Sequence, residues 1–137
     1  MGPARFHCAT LQARPIALLL QETRCAAYSI PGYTGYYNPT IMHKPWDSPQ
    51  GQYAIYIKND ITSCKIDTSC YSTEIQQIVA TRILLPPRKG KTCTLLLTSV
   101  YMRPETGKTT VGNFDWISDW RDKYCADYII IGGDFNA

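Results

Sequence analysis

The sequence predicts an α/β fold in which one mixed β-sheet packs against a helix. Two apolar runs without alternation, near residues 16–22 and 127–132, are typical of strands covered on both faces. Two further β-rich runs, 75–85 and 92–102, are separated by a short break with proline, glycine and charges, as in a hairpin. Helical periodicity near residues 114–124 completes the predicted order: strand, loop, strand, strand, strand, helix, strand.

The first half of the chain is predicted to be strand, long loop and strand. Residues 1–15 are irregular, and residues 16–22 form the first strand. Residues 24–52 are rich in Tyr, Pro and Gly, which indicates a loop. Residues 52–58 alternate between two sets of side chains, which predicts a half-buried strand ending before Asn59.

The second half is predicted to be hairpin, helix and strand. The basic tip of the hairpin, residues 86–91, faces water, and its prolines and glycine stop both strands. Asn113 or an upstream threonine could cap the helix. The apolar face of the helix contains residues at spacings of three and four: Phe114, Ile117, Trp120 and Tyr124.

Composition fits one globular domain. The chain has 137 residues, of which 45% are hydrophobic and 18% charged, and a net charge of +3. This mild basicity fits a nucleic-acid or phosphate partner without arguing for one. The apolar stretch 16–20 is too short to cross a membrane, and no signal peptide is evident, so an intracellular, soluble protein is expected.

The cysteines do not indicate a metal site. No Cys-x-x-Cys occurs, and the two histidines have no cysteine or histidine at zinc-finger spacing. Cys64 and Cys70 could form a bridge, but all six cysteines are predicted to be reduced thiols.

Glu22 lies at the carboxyl end of the first strand, where open α/β sheets place their ligands. An unpaired carboxylate away from water is costly, so an acid after an apolar strand indicates a function. The alternatives are a solvated glutamate that opens the loop and an ion-pair partner of Arg24.

Asp134 and Asn136 form a more specific pattern at the end of the last strand. Two residues apart on an extended segment, their side chains point to the same side. Gly132 and Gly133 remove side chains where something must approach the backbone closely. Phosphodiester hydrolysis needs a hard cation, a carboxylate that orients water and a donor for developing charge, and these residue types fit those tasks. The alternative is a turn that ends the strand.

Tyr101 ends the second hairpin strand, and its phenol could donate to a phosphate or simply pack. Arg103 beside it could add a charge-assisted contact, and Arg82 is a further candidate for contact with nucleic acid. As a group, however, the cations are interpreted as a solvated face rather than a phosphate track: Arg82, Arg88, Lys89, Lys91 and Lys108.

Three ordered motifs together resemble the endonuclease/exonuclease/phosphatase superfamily: Leu18-Leu19-Leu20-Gln21-Glu22-Thr23, Ser99-Val100-Tyr101-x-x-Pro104 and Ile130-Ile131-Gly132-Gly133-Asp134-Phe135-Asn136-Ala137. The sequence is most similar to the apurinic-type endonuclease domain at the front of LINE-type (non-LTR) retrotransposon polyproteins. The resemblance implies a partial four-layer α/β sandwich in residues 16–137, behind an irregular remnant in residues 1–15.

The resemblance also implies a role for each candidate residue. Glu22 corresponds to the ligand of Mg²⁺ or Mn²⁺, and Tyr101 to the tyrosine on the scissile phosphate. Asp134 corresponds to the aspartate that orients the attacking water, and Asn136 to its phosphate-binding neighbour. We therefore expect Glu22, Asp134 and Asn136 to converge at one end of the sheet. DNA is the implied partner, and the nucleus the implied location of the parent retroelement protein.

The family pattern is incomplete in this sequence. Residues 1–15 contain no asparagine for a first-strand motif, and no Ser-Asp-His triplet occurs. In the family two sheets pack face to face, so a half that contributes one sheet is expected to expose an apolar face and to be inactive alone. A C-terminal half-domain is then a possible partner. The alternatives are a phosphatase or sphingomyelinase-type member of the superfamily and a remnant that binds nucleic acid without catalysis.

Overall fold

The computed structural model describes residues 12–21, 29–37, 53–73, 75–103 and 113–135. These residues form two β-sheets and a helix that packs on one of them. The elements in chain order are β1 (Ala17–Leu20), β2 (Tyr33–Tyr37), β3 (Ala54–Lys58), β4 (Thr62–Ile66), β5 (Gln76–Arg88), β6 (Lys91–Met102), α1 (Trp116–Tyr124) and β7 (Tyr128–Asp134).

The smaller sheet has three antiparallel strands in the order β1-β3-β2. β3 is the central strand, and its register with β1 pairs Leu19 with Ile55. Ile55 and Ile57 pack toward the other sheet, whereas Tyr56 packs on the opposite face. The alternation predicted for residues 52–58 is therefore confirmed, but both faces of β3 are buried rather than one.

β2 lies inside the segment that was predicted to be a loop, so that prediction was wrong for Tyr33–Tyr37. Tyrosines favour strands because their rings pack well on a pleated surface. The hydroxyl of Tyr36 shares a hydrogen bond with Ser63 Oγ at 2.7 Å, which ties β2 to β4 of the other sheet. Residues 29–32 of the predicted loop do lie outside any strand, and residues 24–28 and 38–52 lie outside the described residues.

The larger sheet has four strands in the order β4-β5-β6-β7. β4 and β6 each pair antiparallel with β5, whereas β7 runs parallel to β6. The predicted hairpin is confirmed, with Ile78 opposite Val100 and Ile83 opposite Leu95. β4 was not predicted, because Thr62–Ile66 has too few apolar residues to read as a strand from sequence.

The hairpin turn consists of Lys89 and Gly90, whose φ angles are both positive, 54° and 75°. Two consecutive positive φ angles are typical of a type I′ turn, whose twist matches that of antiparallel strands. The prediction that prolines end the first strand was wrong, since β5 continues to Arg88 through a shift in register. Pro86 and Pro87 occupy this irregularity, where the missing N–H of proline is tolerated.

The apolar side chains of the described residues form three clusters, one between the sheets and one on each outer face. The cluster between the sheets draws on β5, β6 and the β3 region: Tyr53, Ile55, Ile57, Val79, Ile83 and Leu97. Trp116 and Trp120 of α1 cover the outer face of the larger sheet, where Leu96 and Val100 lie. Ile30 packs in the cluster on the outer face of the smaller sheet. Each fully buried side chain of this size stabilises the fold by about 1.5–3 kcal/mol.

The α/β class is confirmed, but the expectation of a single mixed sheet was wrong. Apolar side chains are still exposed on one face of β7, where Tyr128 is 65% and Ile130 52% exposed. The described residues supply two sheets, and the larger of them is mixed. Ile57 and Val79, from opposite sheets, are both fully buried in the contact between them. The reason is that β3 is apolar on both faces, so it needs a covering layer on each side.

The predicted helix is present as α1, with a shifted buried face. Trp116 and Trp120 are buried, whereas Phe114, expected on the apolar face, precedes the helix and is 39% exposed. Asp115 is the N-cap residue and makes no side-chain capping bond. The expectation that Asn113 caps the helix was therefore wrong. Asn113 stabilises the turn before the helix instead, because its Oδ1 accepts a hydrogen bond from the backbone N–H of Asp115 at 2.9 Å.

The described cysteines are free thiols, as predicted: Cys64, Cys70, Cys93 and Cys125. Cys64 and Cys70 therefore form no bridge. Cys8 and Cys25 lie outside the described residues.

Candidate active site

Tyr101 and Asp134 lie side by side at the carboxyl ends of two neighbouring parallel strands. The register of β6 and β7 pairs Tyr101 with Asp134, two positions after it pairs Ser99 with Gly132. Paired residues of parallel strands point to the same face, and Tyr101 packs against the cluster between the sheets. The phenol and the carboxylate therefore belong to one face at one end of the larger sheet.

The ring of Tyr101 is held by stacking on Tyr53. The two ring centroids are 5.0 Å apart and the ring planes differ by 19°. Tyr53 is buried just before β3, so this contact joins the end of β6 to the smaller sheet. An aromatic pair of this kind stabilises by about 1 kcal/mol beyond its burial. Tyr101 therefore packs against Tyr53, which is one of the two roles expected for it, and its side chain remains half-buried.

Two glycines allow β7 to approach its neighbours closely just before Asp134. A Cβ atom on Gly133 would lie 2.0 Å from the carbonyl oxygen of Val100 in β6. A Cβ atom on Gly132 would lie 3.0 Å from Cδ2 of Leu19 in β1. The predicted close approach is confirmed, and the approaching groups are the backbone of β6 and a side chain of the smaller sheet.

Gln21 brings the segment after β1 to the same end of the larger sheet. Its Nε2 donates a hydrogen bond to Ser99 Oγ at 3.0 Å. Ser99 is fully buried and lies two residues before Tyr101 on the same face of β6. Glu22, the next residue in sequence, lies outside the described residues. Gln21, the residue before Glu22 in sequence, therefore lies near the strand ends that carry Tyr101 and Asp134.

Asn136 also lies outside the described residues, but its neighbour Phe135 is described. The ring of Phe135 packs against the cluster under α1, with its centroid 6.4 Å from that of Phe114. Successive residues of an extended chain point to opposite faces. Because Phe135 packs on the face that α1 covers, Asp134 is on the face toward the smaller sheet. The convergence of Glu22, Asp134 and Asn136 stays a prediction.

The two candidate arginines lie in different parts of the larger sheet. Arg103 follows β6, is exposed, and donates its backbone N–H to the carbonyl of Ile75 at 2.7 Å. Arg82 lies within β5 opposite Leu96, whose side chain packs under α1. Arg82 is therefore on the other face of the sheet from Tyr101, and its buried Nε has no hydrogen-bond partner. Arg103 is therefore two residues from Tyr101 along the chain, whereas Arg82 is separated from Tyr101 by the sheet.

Oxygen atoms are the donors that this end of the sheet can offer to a metal ion. Asp134 contributes an exposed carboxylate. Among the residues that the structure describes, no group of three or more His, Cys, Asp or Glu side chains could hold a metal ion, and Glu22 is not one of those residues. Mg²⁺ is commonly bound through one or two carboxylates while it keeps several waters. Asp134 with Glu22 fits such an ion in donor chemistry.

Gln21 and Ser99 are the part of this site that sequence reasoning missed. Both lie within motifs that were singled out, but neither was given a role. The alternation of side chains along β6 could have identified Ser99, because Leu97, Ser99 and Tyr101 share one face of the strand. A serine between two residues that face an apolar layer needs a polar partner.

Comparisons with known proteins add no family to this description. No protein-family model matches the chain, and no curated protein matches it. In the described ranges, no helix is both long and apolar enough to cross a membrane.

Proposed function

We propose that this chain is part of a divalent-metal-dependent DNA endonuclease of the endonuclease/exonuclease/phosphatase superfamily. Within that superfamily, the same motifs resemble the apurinic-type endonuclease domain of LINE-type retrotransposons. The reaction is hydrolysis of a phosphodiester bond, which nicks a DNA target. The proposal rests on three ordered sequence motifs and on the geometry of the residues that flank them.

The paired position of Tyr101 and Asp134 is the observation that carries the proposal. These residues come from two motifs that are distant in sequence, and they occupy matching positions in adjacent strands. The bond from Gln21 to Ser99 brings the third motif toward the same end. Ligands of open α/β sheets bind beyond the carboxyl ends of the strands, so this meeting of motifs supports a phosphate site there.

Each residue then has a chemical task in the proposed reaction. Asp134 orients the attacking water and accepts its proton, while Tyr101 donates a hydrogen bond to the phosphate. Arg103 adds positive charge near the phosphate, and Asn136 donates to the charge that develops there. Glu22 and Asp134 would hold Mg²⁺ or Mn²⁺, which when bound neutralises phosphate oxygens.

The 137-residue polypeptide is expected to bind a divalent ion and DNA without nicking the DNA. Its sequence contains no Ser-Asp-His triplet, and residues 1–15 contain no asparagine. The family's acid-base histidine is therefore without a counterpart in these residues. Loss of such a group removes most of the stabilisation of the transition state, even where the fold persists.

Two measurements on the purified polypeptide test the proposal. Mn²⁺ binding is followed by the enhancement of water-proton relaxation, and nicking by the relaxation of supercoiled plasmid with Mg²⁺ or Mn²⁺. The variants are Asp134→Ala and Glu22→Gln, with Asp122→Ala as the matched control. Asp122 is an exposed carboxylate on α1, where it pairs with Arg121 at 3.2 Å.

Weakened Mn²⁺ binding in the first two variants, but not in the control, is the expected result. Mn²⁺ binding that is equal in all variants would show that these carboxylates form no metal site. Plasmid relaxation that needs the metal and disappears in Asp134→Ala would show that this polypeptide is active by itself. Hydrolysis of a phosphate monoester in place of DNA would favour the phosphatase branch of the superfamily.

A further inference from the structure

The hairpin of β5 and β6 extends beyond the rest of the larger sheet. β4 pairs with β5 as far as Leu84, and β7 pairs with β6 from Leu95 onward. Residues 85–93 therefore form a two-stranded extension, which we call the hairpin ribbon. Within it Arg88 pairs with Lys91, and no other described strand flanks either side.

Positive charge is concentrated at the end of the hairpin ribbon. Arg88, Lys89 and Lys91 are all exposed, and residues 85–93 contain no acidic residue. Within the described part of the chain, none of these three cations forms an ion pair. Because the charges lie on a protruding tip, they add to one another in the solvent beyond it.

Two described carboxylates near the base of the hairpin ribbon have partners other than its three cations. Asp60 lies 3.7 Å from Nζ of Lys58, with which it forms an ion pair. Asp127 accepts a hydrogen bond from the backbone N–H of Thr94 at 2.8 Å. Asp127 also interacts with the thiol of Cys93 at the base of the hairpin ribbon. Neither carboxylate forms an ion pair with Arg88, Lys89 or Lys91.

The tip is held in one conformation by its backbone. Lys89 and Gly90 form the tight turn with positive φ angles, and Pro86 and Pro87 have restricted φ angles by their chemistry. A surface that is already ordered loses less conformational entropy on binding than a flexible loop does. The backbone of the hairpin ribbon is thus ordered before binding, while its long cationic side chains can still adjust to a ligand.

The hairpin ribbon lies at the opposite end of the sheet from the candidate active site. Lys91 begins β6, and Tyr101 lies near its other end. At roughly 3.3 Å per residue of strand, the two positions are about 33 Å apart. Charges at the tip are therefore too distant to act directly on the Tyr101 and Asp134 pair.

We infer that the hairpin ribbon is a second nucleic-acid contact, in which Arg88, Lys89 and Lys91 bind backbone phosphates of duplex DNA. A two-stranded β-ribbon is one of the elements that the major groove of DNA admits. The tip has no aromatic side chain and no large apolar side chain past Leu85, which disfavours insertion into a lipid surface. The choice of DNA as the polyanion rests on the proposed function.

The test compares duplex binding by the 137-residue polypeptide with that of two variants. The first, R88Q/K89Q/K91Q, removes the tip charges, and the second, R121Q/K123Q, removes exposed cations from α1 as a control. Binding of a fluorescent 20-base-pair duplex is measured by anisotropy at several salt concentrations without divalent ions. Circular dichroism and thermal melting verify that both variants keep the fold.

The tip variant is expected to bind the duplex at least about tenfold more weakly at low salt. The slope of log affinity against log salt should fall by up to about 2.7, since each phosphate contact contributes roughly 0.9. The control should differ from the unmodified chain by less than these amounts. Equal affinity and slope in the tip variant and the control would overturn the inference. So would tip-dependent binding to phosphatidylserine vesicles with tip-independent binding to DNA.

The two proposals fail in distinguishable ways. Mn²⁺ binding that depends on Asp134 should be unchanged in R88Q/K89Q/K91Q, because the tip is remote from that carboxylate. If Mn²⁺ binding does not depend on Asp134 while duplex binding depends on the tip, the proposed active site is wrong and the hairpin ribbon remains a DNA contact. The reverse result would reject the hairpin ribbon alone.

Discussion

Gln21 Nε2 donates a hydrogen bond to Ser99 Oγ at 3.0 Å, across the boundary between the two sheets. Ser99 is fully buried, and it lies on the face of β6 that carries apolar side chains of the inter-sheet cluster. A buried hydroxyl without a partner would cost roughly 1–3 kcal/mol. The bond therefore disfavours any shift of β1 along β6, in addition to satisfying the serine.

Removing either partner of this bond should destabilise the fold, and removing both should cost little more than removing one. We expect Gln21→Met and Ser99→Ala each to lower the free energy of unfolding by about 1 kcal/mol. A coupling energy of about 1 kcal/mol should appear in the double variant. Urea unfolding monitored by tryptophan fluorescence measures these values. Strictly additive effects would show that the two side chains do not interact in solution.

Gly133→Ala should be clearly more destabilising than Gly132→Ala. The new methyl at position 133 meets the backbone carbonyl of Val100, which cannot move without disturbing β6. At position 132 it meets the end of the Leu19 side chain, which can rotate away. We expect a loss of about 2 kcal/mol or more at position 133 and about 1 kcal/mol or less at position 132. Chemical denaturation of the two variants compares them directly, and equal losses would argue against the close approach of β7 to β6.

Two fully buried threonines should respond in opposite directions to replacement by valine. Thr98 Oγ1 has no hydrogen-bond partner, whereas Thr81 Oγ1 donates to the carbonyl of Cys64 at 2.8 Å. Thr98→Val removes an unsatisfied hydroxyl at nearly constant shape and should stabilise by about 1 kcal/mol. Thr81→Val removes a hydrogen bond and should destabilise by a similar amount, about 1 kcal/mol. Thermal and urea unfolding check the two signs, and destabilisation by Thr98→Val would indicate an unseen partner.

The titration of Tyr71 should depend on Asp119. The phenol donates a hydrogen bond to the Asp119 carboxylate, and this bond, followed by desolvation and the carboxylate charge, raises the pKa of Tyr71 to about 12. Because this pKa is above its ordinary value of 10.0, the stabilising effect is complete below pH 10 and is lost as the pH rises toward 12. Asp119→Asn should therefore move the titration to lower pH.

Absorbance at 295 nm measures this change, with Tyr71→Phe used to identify the signal. The stability difference between the unmodified chain and Tyr71→Phe should narrow in the same alkaline range. An unchanged tyrosine titration in Asp119→Asn would contradict the hydrogen bond between loop and helix.

Sequence patterns predicted those strands and the helix whose side chains repeat in a simple way. β5 and β6 have long β-rich runs on either side of a turn, and their antiparallel pairing followed from that arrangement. β2 and β4 could not be found in this manner, because Tyr33–Tyr37 and Thr62–Ile66 are short and contain glycine or polar residues. Their strand conformation depends on β3 and β5, to which they pair. Local propensity does not include the contribution of such a partner strand, so it could not predict β2 or β4.

The candidate site was predictable as a set of residues but not as an arrangement. The motifs singled out Tyr101 and Asp134, yet their direct pairing depends on the parallel direction of β7, which sequence alone did not give. From sequence, both Arg82 and Arg103 were candidates for contact with nucleic acid. Only the register of β5 and β6, which pairs Arg82 with Leu96, shows that Arg82 lies on the face of the sheet opposite Tyr101. For Glu22, sequence remains the sole argument.

The parallel pairing of β7 with β6 also bears on the order in which the molecule folds. β5 and β6 are joined by a two-residue turn, so their contacts form at a small entropic cost. β7 must return along the full sheet, after α1, before Tyr101 can meet Asp134. Non-local pairings of this kind form late, because the chain loses the entropy of loop closure before the stabilising contacts are made. The candidate site should therefore be among the last regions to fold and the first to open, and amide hydrogen exchange should be faster in β7 than in the hairpin.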